Sequence, residues 1–425
     1  MTRAVVLFTR DLRVHDQAAL SAAAETSAEV VPLFVLDEAL RHSPARDRFL
    51  RRALADLRGS LRGLGGDLVV RRGDPVDETL RVAHETGSSA VYLGADASAY
   101  AQARRARLER AIEVRVENTI AAVAPGELAP AGRDHYRVFT PFWRRWREMP
   151  LADPLDHPAR LAVPRSLEPG ALLLETGGGE TEGRRQLRAW LRGGLHEYAQ
   201  RRNELAPGAT SRLGPYLHFG CISAAETITG ARAEGPAAEE FVRQLCWRDF
   251  YLQLLAANPE TAKRDLHERD RDWLEDPDGL AAWAEGQTGY PIVDAGMRQL
   301  RSEGWLPNRA RLIAASFLTK TLGIHWREGA RVFFELLVDG DVASNAGNWQ
   351  WVAGTGVDTR PNRRFNPVAQ AKRFDPDGAY VRRYVPELAS LEGAAVHEPW
   401  RAALAARAPE YAERYPIDAM RVAML

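Results

Sequence analysis

The sequence predicts an α/β unit built on a doubly wound parallel sheet, joined by a long connecting segment to an all-α second part. Three observations predict it. At 425 residues the chain exceeds the size at which one core stops growing, so two domains are expected. Residues 1–125 alternate short β-branched runs with stretches long enough for crossover helices. Beyond Tyr198 the strand signal fades, and helical patterns broken by NPE, DPDG, GYP, LPN and RPN take over.

The strand candidates are Ala4–Phe8, Val30–Leu36, Asp67–Arg71, Ala90–Leu93 and Glu113–Val116, each short and rich in Val, Leu or Ile. Gly63, Gly65 and Gly66 precede a strand rather than follow one, so they read as a helix stop and not as a nucleotide loop. Residues 126–195 are rich in Pro, Gly and Arg and read as an interdomain linker. Within that linker Val138–Trp146 (VFTPFWRRW) is apolar enough to dock on a domain. The helical part, 196–425, opens its chemistry with Glu239–Ala256. There Gln244, Trp247, Arg248 and Tyr251 share one helical face, while Phe241, Val242, Leu245, Cys246, Phe250, Leu252 and Leu254 cover the others. An interior polar stripe needs polar company, either a bound ligand or a buried Arg–acid pair. In Gly304–Lys320, Pro307 suits a helix start, and Asn308, Arg311 and Leu312 share a face. The stretch 338–356 then offers small residues for close backbone approach, with Asp339, Asp341 and Asn345 as polar groups. Those acids either pair with Arg311 or bind a ligand.

Composition narrows the class. Net charge is +0 from 57 basic and 57 acidic residues, which argues against coating nucleic acid by global attraction and leaves room for a local basic patch. Only Lys263, Lys320 and Lys372 are lysines, and arginine forks suit phosphate better than lysine points. No apolar run approaches the roughly 18 residues of a membrane helix. The start MTRAVVLFTRDLRVHD carries too many early charges for a secretory signal, so a cytoplasmic location is expected. Cys221 and Cys246 have no metal-ligand spacing, and no metal site is expected. Trp283 and Trp400 are read as core residues.

Seven ordered segments carry a resemblance. They are LFTRDLRVHDQAAL (7–20), TSRLGPYLHFG (210–220), RQLCWRDFY (243–251), GYPIVDAGMRQL (289–300), WREGARVFF (326–334), DGDVASNAGNWQW (339–351) and FNPVAQAKRFDPDGAYVRRYVPEL (365–388). With these segments the chain resembles the cryptochrome/photolyase family along nearly its whole length. The resemblance implies FAD in the helical part, light-driven repair of cyclobutane pyrimidine dimers by electron transfer from excited FADH⁻, and damaged DNA as partner. Tyr198, Thr210, Ser211, Arg212, Leu213 and Gly214 match the segment that holds the FAD phosphates. Arg248 and Asn308 match flavin-contacting positions. Arg311 and Asp339 match an ion pair beside the isoalloxazine, with Gly340 and Asp341 in the same segment, and Asn345 matches the residue facing flavin N5. Trp349, Trp326 and Trp273 match a chain of tryptophans from flavin to surface.

On the DNA side the resemblance implies a flipped-out dimer received between Trp247 and Trp351, near Gln244, Asn308 and Leu312. Arg202, Arg309 and Arg363 match or adjoin phosphate-gripping positions, while Arg382 and Arg383 are read as a solvated face. Gln244 stands where many dimer photolyases carry glutamate, and Leu312 where many carry methionine. The (6-4) photolyases place histidines at the positions of Asn308 and Leu312, which disfavours (6-4) repair. Gln244 keeps a blue-light receptor reading open. The family's N-terminal part often binds an antenna pigment. Its folate-contacting pair falls on Ala101 and Gln102, which disfavours methenyltetrahydrofolate, and RHSPARDRFL (41–50) looks more like the binders of 8-hydroxy-5-deazaflavin. A monomer is expected.

Overall fold

The structure is a computed structural model and describes residues 2–40, 43–164, 167–171, 175–205, 207–269, 271–357, 360, 362–401 and 411. Five strands form one wholly parallel sheet: β1 (Arg3–Phe8), β2 (Glu29–Leu36), β3 (Val69–Arg72), β4 (Ala90–Gly94) and β5 (Glu113–Glu117), in the order β3-β2-β1-β4-β5. The crossover helices are α1 (Ala18–Thr26), α2 (Pro44–Gly63), α3 (Pro75–Thr86) and α4 (Ala99–Glu109). This is the doubly wound arrangement the sequence predicts, with the order reversing at β1. The central strands are continuous apolar runs because helices cover both faces: Val5, Leu7, Val31, Leu33, Val91 and Leu93 are all buried. α2 ends at Gly63, and Gly65 takes φ +88°, so the glycines do act as a helix stop. The third strand begins two residues later than expected. Asp67 does not join it but accepts from Arg58 Nε at 2.7 Å and Arg62 Nη2 at 3.0 Å.

The segment 126–195 is not structureless. It contains α5 (Phe139–Trp146) and the 14-residue α6 (Gly179–Arg192). Further helices follow: α7 (Tyr198–Arg201), α8 (Gly214–His218), α9 (Ala224–Ala233), α10 (Glu239–Ala257), α11 (Pro277–Glu285), α12 (Pro291–Glu303), α13 (Asn308–Ser316), α14 (Trp326–Leu336), α15 (Val342–Ala353), α16 (Pro367–Phe374) and α17 (Ala379–Tyr384). A π-helical turn, Phe317–Thr321, extends α13. None of the described helices is long and apolar enough to cross a membrane.

The chain divides into two compact units that do not follow the sequence order. The first holds residues 1–196 and 211–259, the second 197–210 and 260–425. Thus α8, α9 and α10 group with the sheet. The reason is backbone satisfaction. Leu12 N donates to Phe219 O at 3.0 Å, and the buried Arg13 guanidinium donates to Gly220 O and Thr119 O. A Cβ on Gly220 would lie 2.1 Å from Arg10 O, so only glycine permits this approach. The core of the second unit gathers Trp283, Ile292, Leu300, Ile313, Phe317 and Trp326 with the apolar faces of α12–α15. Trp283 is fully buried, as expected. Trp400 is not a core residue: it is 38 % exposed and meets Tyr290 by one edge, centroids 5.5 Å apart.

Candidate functional site

In the first unit the chemistry is set on α10. Its apolar faces are buried as the sequence suggests, and Gln244, Trp247 and Arg248 are half-buried along the remaining stripe, while Tyr251 is buried. The Gln244 amide has no side-chain hydrogen bond among the described residues. Trp247 lies against Phe139 of α5 in a parallel stack, centroids 3.6 Å apart and planes 6° apart, with Phe250 and Tyr251 at 5.6 and 5.4 Å. The apolar VFTPFWRRW segment therefore docks, as a helix, on α10. Arg248 donates from Nη1 to Ile120 O at 2.7 Å and from Nη2 to Leu217 O at 3.4 Å, so much of its guanidinium positions backbone.

Asp249 is a residue the sequence reading passed over. Fully buried, it accepts from Ala122 N and Val123 N at 3.1 and 3.0 Å and from Trp146 Nε1 at 3.0 Å. Burial pushes its carboxyl up to about 6, against the pull of Arg248 and these donors. Its one sequence signal was its place in the motif RQLCWRDFY. Cys221 and Cys246 are both free and buried, and burial pushes both thiols up.

The turn 211–214 has the geometry of an anion cradle. Arg212 adopts φ +53°, a left-handed conformation rare for a side-chain-bearing residue, and Leu213 follows at φ −78°, ψ −7°. A left-handed residue beside a right-handed one turns successive N–H groups into one concavity, which binds anions. Ser211 Oγ accepts from Leu213 N at 3.3 Å, leaving its own proton to donate, and Gln186 Nε2 fixes the Ser211 carbonyl at 2.7 Å.

In the second unit the Arg311–Asp339 pair forms as the sequence allows. Arg311 Nη2 meets both carboxylate oxygens, at 3.0 and 2.8 Å, and Nε donates to Leu306 O at 3.0 Å. Asp341 caps α15 by accepting from Ser344 N at 2.8 Å. Buried Gly340 joins the two acids. Asn345 donates from Nδ2 to Ala330 O at 2.8 Å, which fixes the amide and leaves its oxygen without a partner among the described residues. Asn308, the first residue of α13, is exposed, and Leu312 is half-buried against the core. Tyr198 and Thr210 are half-buried.

Of the three tryptophans two are interior and the third reaches the surface. Trp349 is buried, edge-on to Phe333 at 4.9 Å. A Cβ on Gly329 would sit 2.1 Å from Trp349 Cη2, so glycine lets α14 close on this indole. Trp326, three residues before Gly329 and on the same helix face, is buried and donates to Asp265 Oδ1 at 2.6 Å. Trp273 is half-buried, with Arg271 4.3 Å over its ring and His325 at 4.7 Å; His325 in turn lies 5.7 Å from Trp326.

Positive charge gathers around Arg309 of α13. Among the described residues Arg309 is bonded to neutral amides alone, Asn203 Oδ1 at 2.6 Å and Gln370 Oε1 at 3.2 Å, and lies 4.5 Å over Phe374. Burial lowers its pKa, and the neighbouring charges of Arg373, Arg202 and Arg363 lower it further. Arg363 stacks 5.2 Å over Trp351, itself half-buried. Among the described residues Arg309, Arg363 and Arg373 have no carboxylate partner. Arg373, inside the motif 365–388, was not singled out from the sequence. Arg382 is spent on Leu391 O and Asp377 O, and Arg383 is exposed, 3.8 Å from Glu303.

At the C-terminal ends of β4 and β5 lies a cavity of about 250 Å³ lined by Asp96, Ala101, Gln102, Arg104 and Asn118. Gln102 bonds the Asp96 carbonyl. Of the segment 41–50, Arg41 and His42 lie outside the described residues, and Ser43 caps α2 by accepting from Arg46 N at 3.2 Å.

Two family models match the chain, one described as DNA photolyase over residues 4–160 and one as the FAD binding domain of DNA photolyase over residues 241–423. Among curated relatives, a deoxyribodipyrimidine photo-lyase of Streptomyces griseus is 49% identical, covering 94% of this chain and 93% of that protein. The chain belongs to the cryptochrome/photolyase family. Its fold agrees with solved members. A bacterial class III photolyase of Agrobacterium tumefaciens superposes with TM-score 0.88 at 33% identity, over 100% of this chain and 98% of that one. A cryptochrome of Synechocystis gives TM-score 0.92 at 27% identity, with the same coverage. FAD is the cofactor of this family's helical domain, and the groups above suit it. The 211–214 cradle fits a pyrophosphate. Arg311, Asp339 and the Asn345 oxygen fit the mixed donor and acceptor edge of an isoalloxazine.

Proposed function

We propose that this chain repairs cyclobutane pyrimidine dimers in DNA by light-driven electron transfer. Reduced FAD, when bound, supplies the light absorption and the electron that opens the cyclobutane ring. The chain's own residues do the rest. Ser211, Arg212 and Gly214 hold the cofactor's phosphates through backbone N–H groups and the Ser211 hydroxyl, with Leu213, whose N–H steadies Ser211, and Tyr198 and Thr210 as further phosphate-side contacts. Arg311, Asp339 and Asn345 orient its ring. The Asn345 oxygen, with its amide nitrogen engaged by Ala330, favours a ring N–H over a bare ring nitrogen. Trp349, Trp326 and Trp273 form a relay of oxidisable indoles that keeps the cofactor reduced.

A dimer inside a duplex is out of reach, so it is flipped out. Trp247 and Trp351 then serve as stacking surfaces, each worth roughly 1–3 kcal/mol per base. Gln244, with its amide uncommitted, Asn308 and Leu312 complete the lesion contacts. The observation that carries the DNA reading is the cluster of Arg309 with Arg363 and Arg373, which have no carboxylate partner among the described residues. Like charges held among neutral amides and aromatic rings are costly unless an outside anion joins them, and the sugar–phosphate backbone is such an anion. Gln244 in place of an acid supports a second reading, a blue-light receptor that uses flavin photoreduction. For an antenna, the engaged Gln102 amide beside Ala101 disfavours methenyltetrahydrofolate and leaves 8-hydroxy-5-deazaflavin as the better candidate.

One experiment separates repair from reception. Reduced protein is illuminated with an oligonucleotide containing a thymine dimer, and thymine absorbance is followed. Recovery only in the light supports repair. Flavin photoreduction with no recovery of thymine refutes it and favours the receptor.

A further inference from the structure

We infer that Phe139 is a positioning residue for lesion recognition, fixing the Trp247 indole as a platform with a single open face. This rests on the reading that Trp247 stacks the lesion. The parallel contact at 3.6 Å and 6° lays the phenyl ring flat against one face of the indole. Phe250 and Tyr251 close on it from the helix side. Trp247 nevertheless remains half-buried rather than buried, so the accessible part is what Phe139 does not cover.

Phe139 itself has no freedom to move away. It is 5 % exposed, it meets Phe250 at 5.6 Å, and the Arg243 guanidinium lies 5.6 Å over its ring. The segment carrying it is tied to α10 at both ends. Ahead of Phe139, Tyr136 exchanges two hydrogen bonds with the Gln253 amide, at 3.1 and 2.7 Å. Beyond it, Trp146 Nε1 reaches Asp249 at 3.0 Å. An indole free to turn about its two side-chain torsions would have to be ordered on binding. One already clamped has lost that freedom during folding, so the base meets a fixed surface. The apolar segment in the connecting region thus has a task in recognition as well as in packing.

The test uses the full-length protein with bound FAD, in the dark, with dimer-containing and undamaged oligonucleotides of one sequence. Trp247→Ala, Phe139→Leu, Phe139→Tyr and the double variant of Trp247→Ala with Phe139→Leu are compared. Phe139→Leu is expected to weaken dimer binding by about threefold to tenfold, the cost of ordering one freed side chain. Binding of undamaged DNA stays unchanged, and Phe139→Tyr restores the wild-type value. In the Trp247→Ala background the Phe139→Leu change is expected to have no further effect. If Phe139→Leu loses FAD or unfolds, Phe139→Met, which keeps the volume without the flat face, carries the same expectation. Trp247→Ala weakening the complex while Phe139→Leu and Phe139→Met do not overturns this inference alone. An equal loss in both backgrounds also overturns it, because Phe139 would then act through the fold. Wild-type binding by Trp247→Ala overturns the lesion-stacking reading itself.

Discussion

At the scale of the residue, the sharpest departure from ordinary backbone is Arg212. Its φ of +53° costs on the order of 1–3 kcal/mol for a residue with a Cβ, and the surrounding turn must enforce it. The sequence offered TSRLG as a matched segment but could not show this angle, because nothing in arginine's chemistry asks for it. A conformational strain kept at the segment proposed to hold the FAD phosphates points to the backbone N–H groups as the working part. Arg212→Gly removes the side chain and relieves the strain, since glycine adopts positive φ freely. Arg212→Val retains a Cβ and adds branching that the left-handed region rejects. The glycine variant is expected to keep FAD within about threefold of wild type. The valine variant is expected to lose about tenfold or more in affinity, matching ~1.5 kcal/mol of added strain. The ratio of flavin to protein absorbance after dialysis reads both. Equal loss in the two variants would show that the guanidinium, not the turn, holds the cofactor.

At the scale of the element, α10 shows what sequence made legible and what it did not. Its length, its buried faces and the stripe of Gln244, Trp247 and Arg248 followed from helical periodicity. The five parallel strands followed from period and spacing, whereas the available charges left the partner of Arg311 open and only the family resemblance implied Asp339. The grouping of α8–α10 with the sheet did not follow, because it depends on loop carbonyls and N–H groups finding partners more than a hundred residues away. Asp249 is the clearest case. In sequence it is one acid after an arginine. In the fold it is the buried acceptor for two loop N–H groups and an indole, 3.9 Å from Arg248. Its carboxyl titrates at about 6 when folded, against the usual ~3.9 when unfolded. Between those values the folded state binds the proton and the unfolded state does not, so this group's contribution to stability falls as pH rises from 4 to 6, by roughly 3 kcal/mol, and is constant above. Asp249→Asn abolishes that titration. Urea unfolding of both proteins at pH 4, 5, 6 and 7 is expected to show the difference in stability moving toward the asparagine variant by that amount across the window. A difference independent of pH would mean that the carboxylate is ionised throughout.

For the whole molecule, charge is balanced to a net of +0, so attraction to DNA has to be local. Many of the described arginines are spent on carboxylates of the chain itself. Arg331, for example, sits between Glu328 at 3.4 Å and Glu335 at 3.1 Å, and those carboxylates already neutralise it. Arg363 differs, being exposed, stacked on Trp351 and without a carboxylate among the described residues. Counterions released from DNA are counted only for arginines that replace them, which makes the salt dependence of binding a direct readout of which charges touch phosphate. On B-form DNA each such contact contributes about 0.9 to the slope of log Kobs against log salt concentration. Arg363→Ala is therefore expected to weaken binding of dimer-containing duplex and to flatten that slope by about one unit. Arg331→Ala, which removes an equal formal charge, is expected to leave the slope unchanged. Titrations between low and moderate salt measure both. If the two variants flattened it equally, the attraction would belong to the diffuse field of the protein rather than to the arginines beside Trp351. That Arg309, Arg363 and Arg373 have no carboxylate partner among the described residues would then be due to something other than DNA.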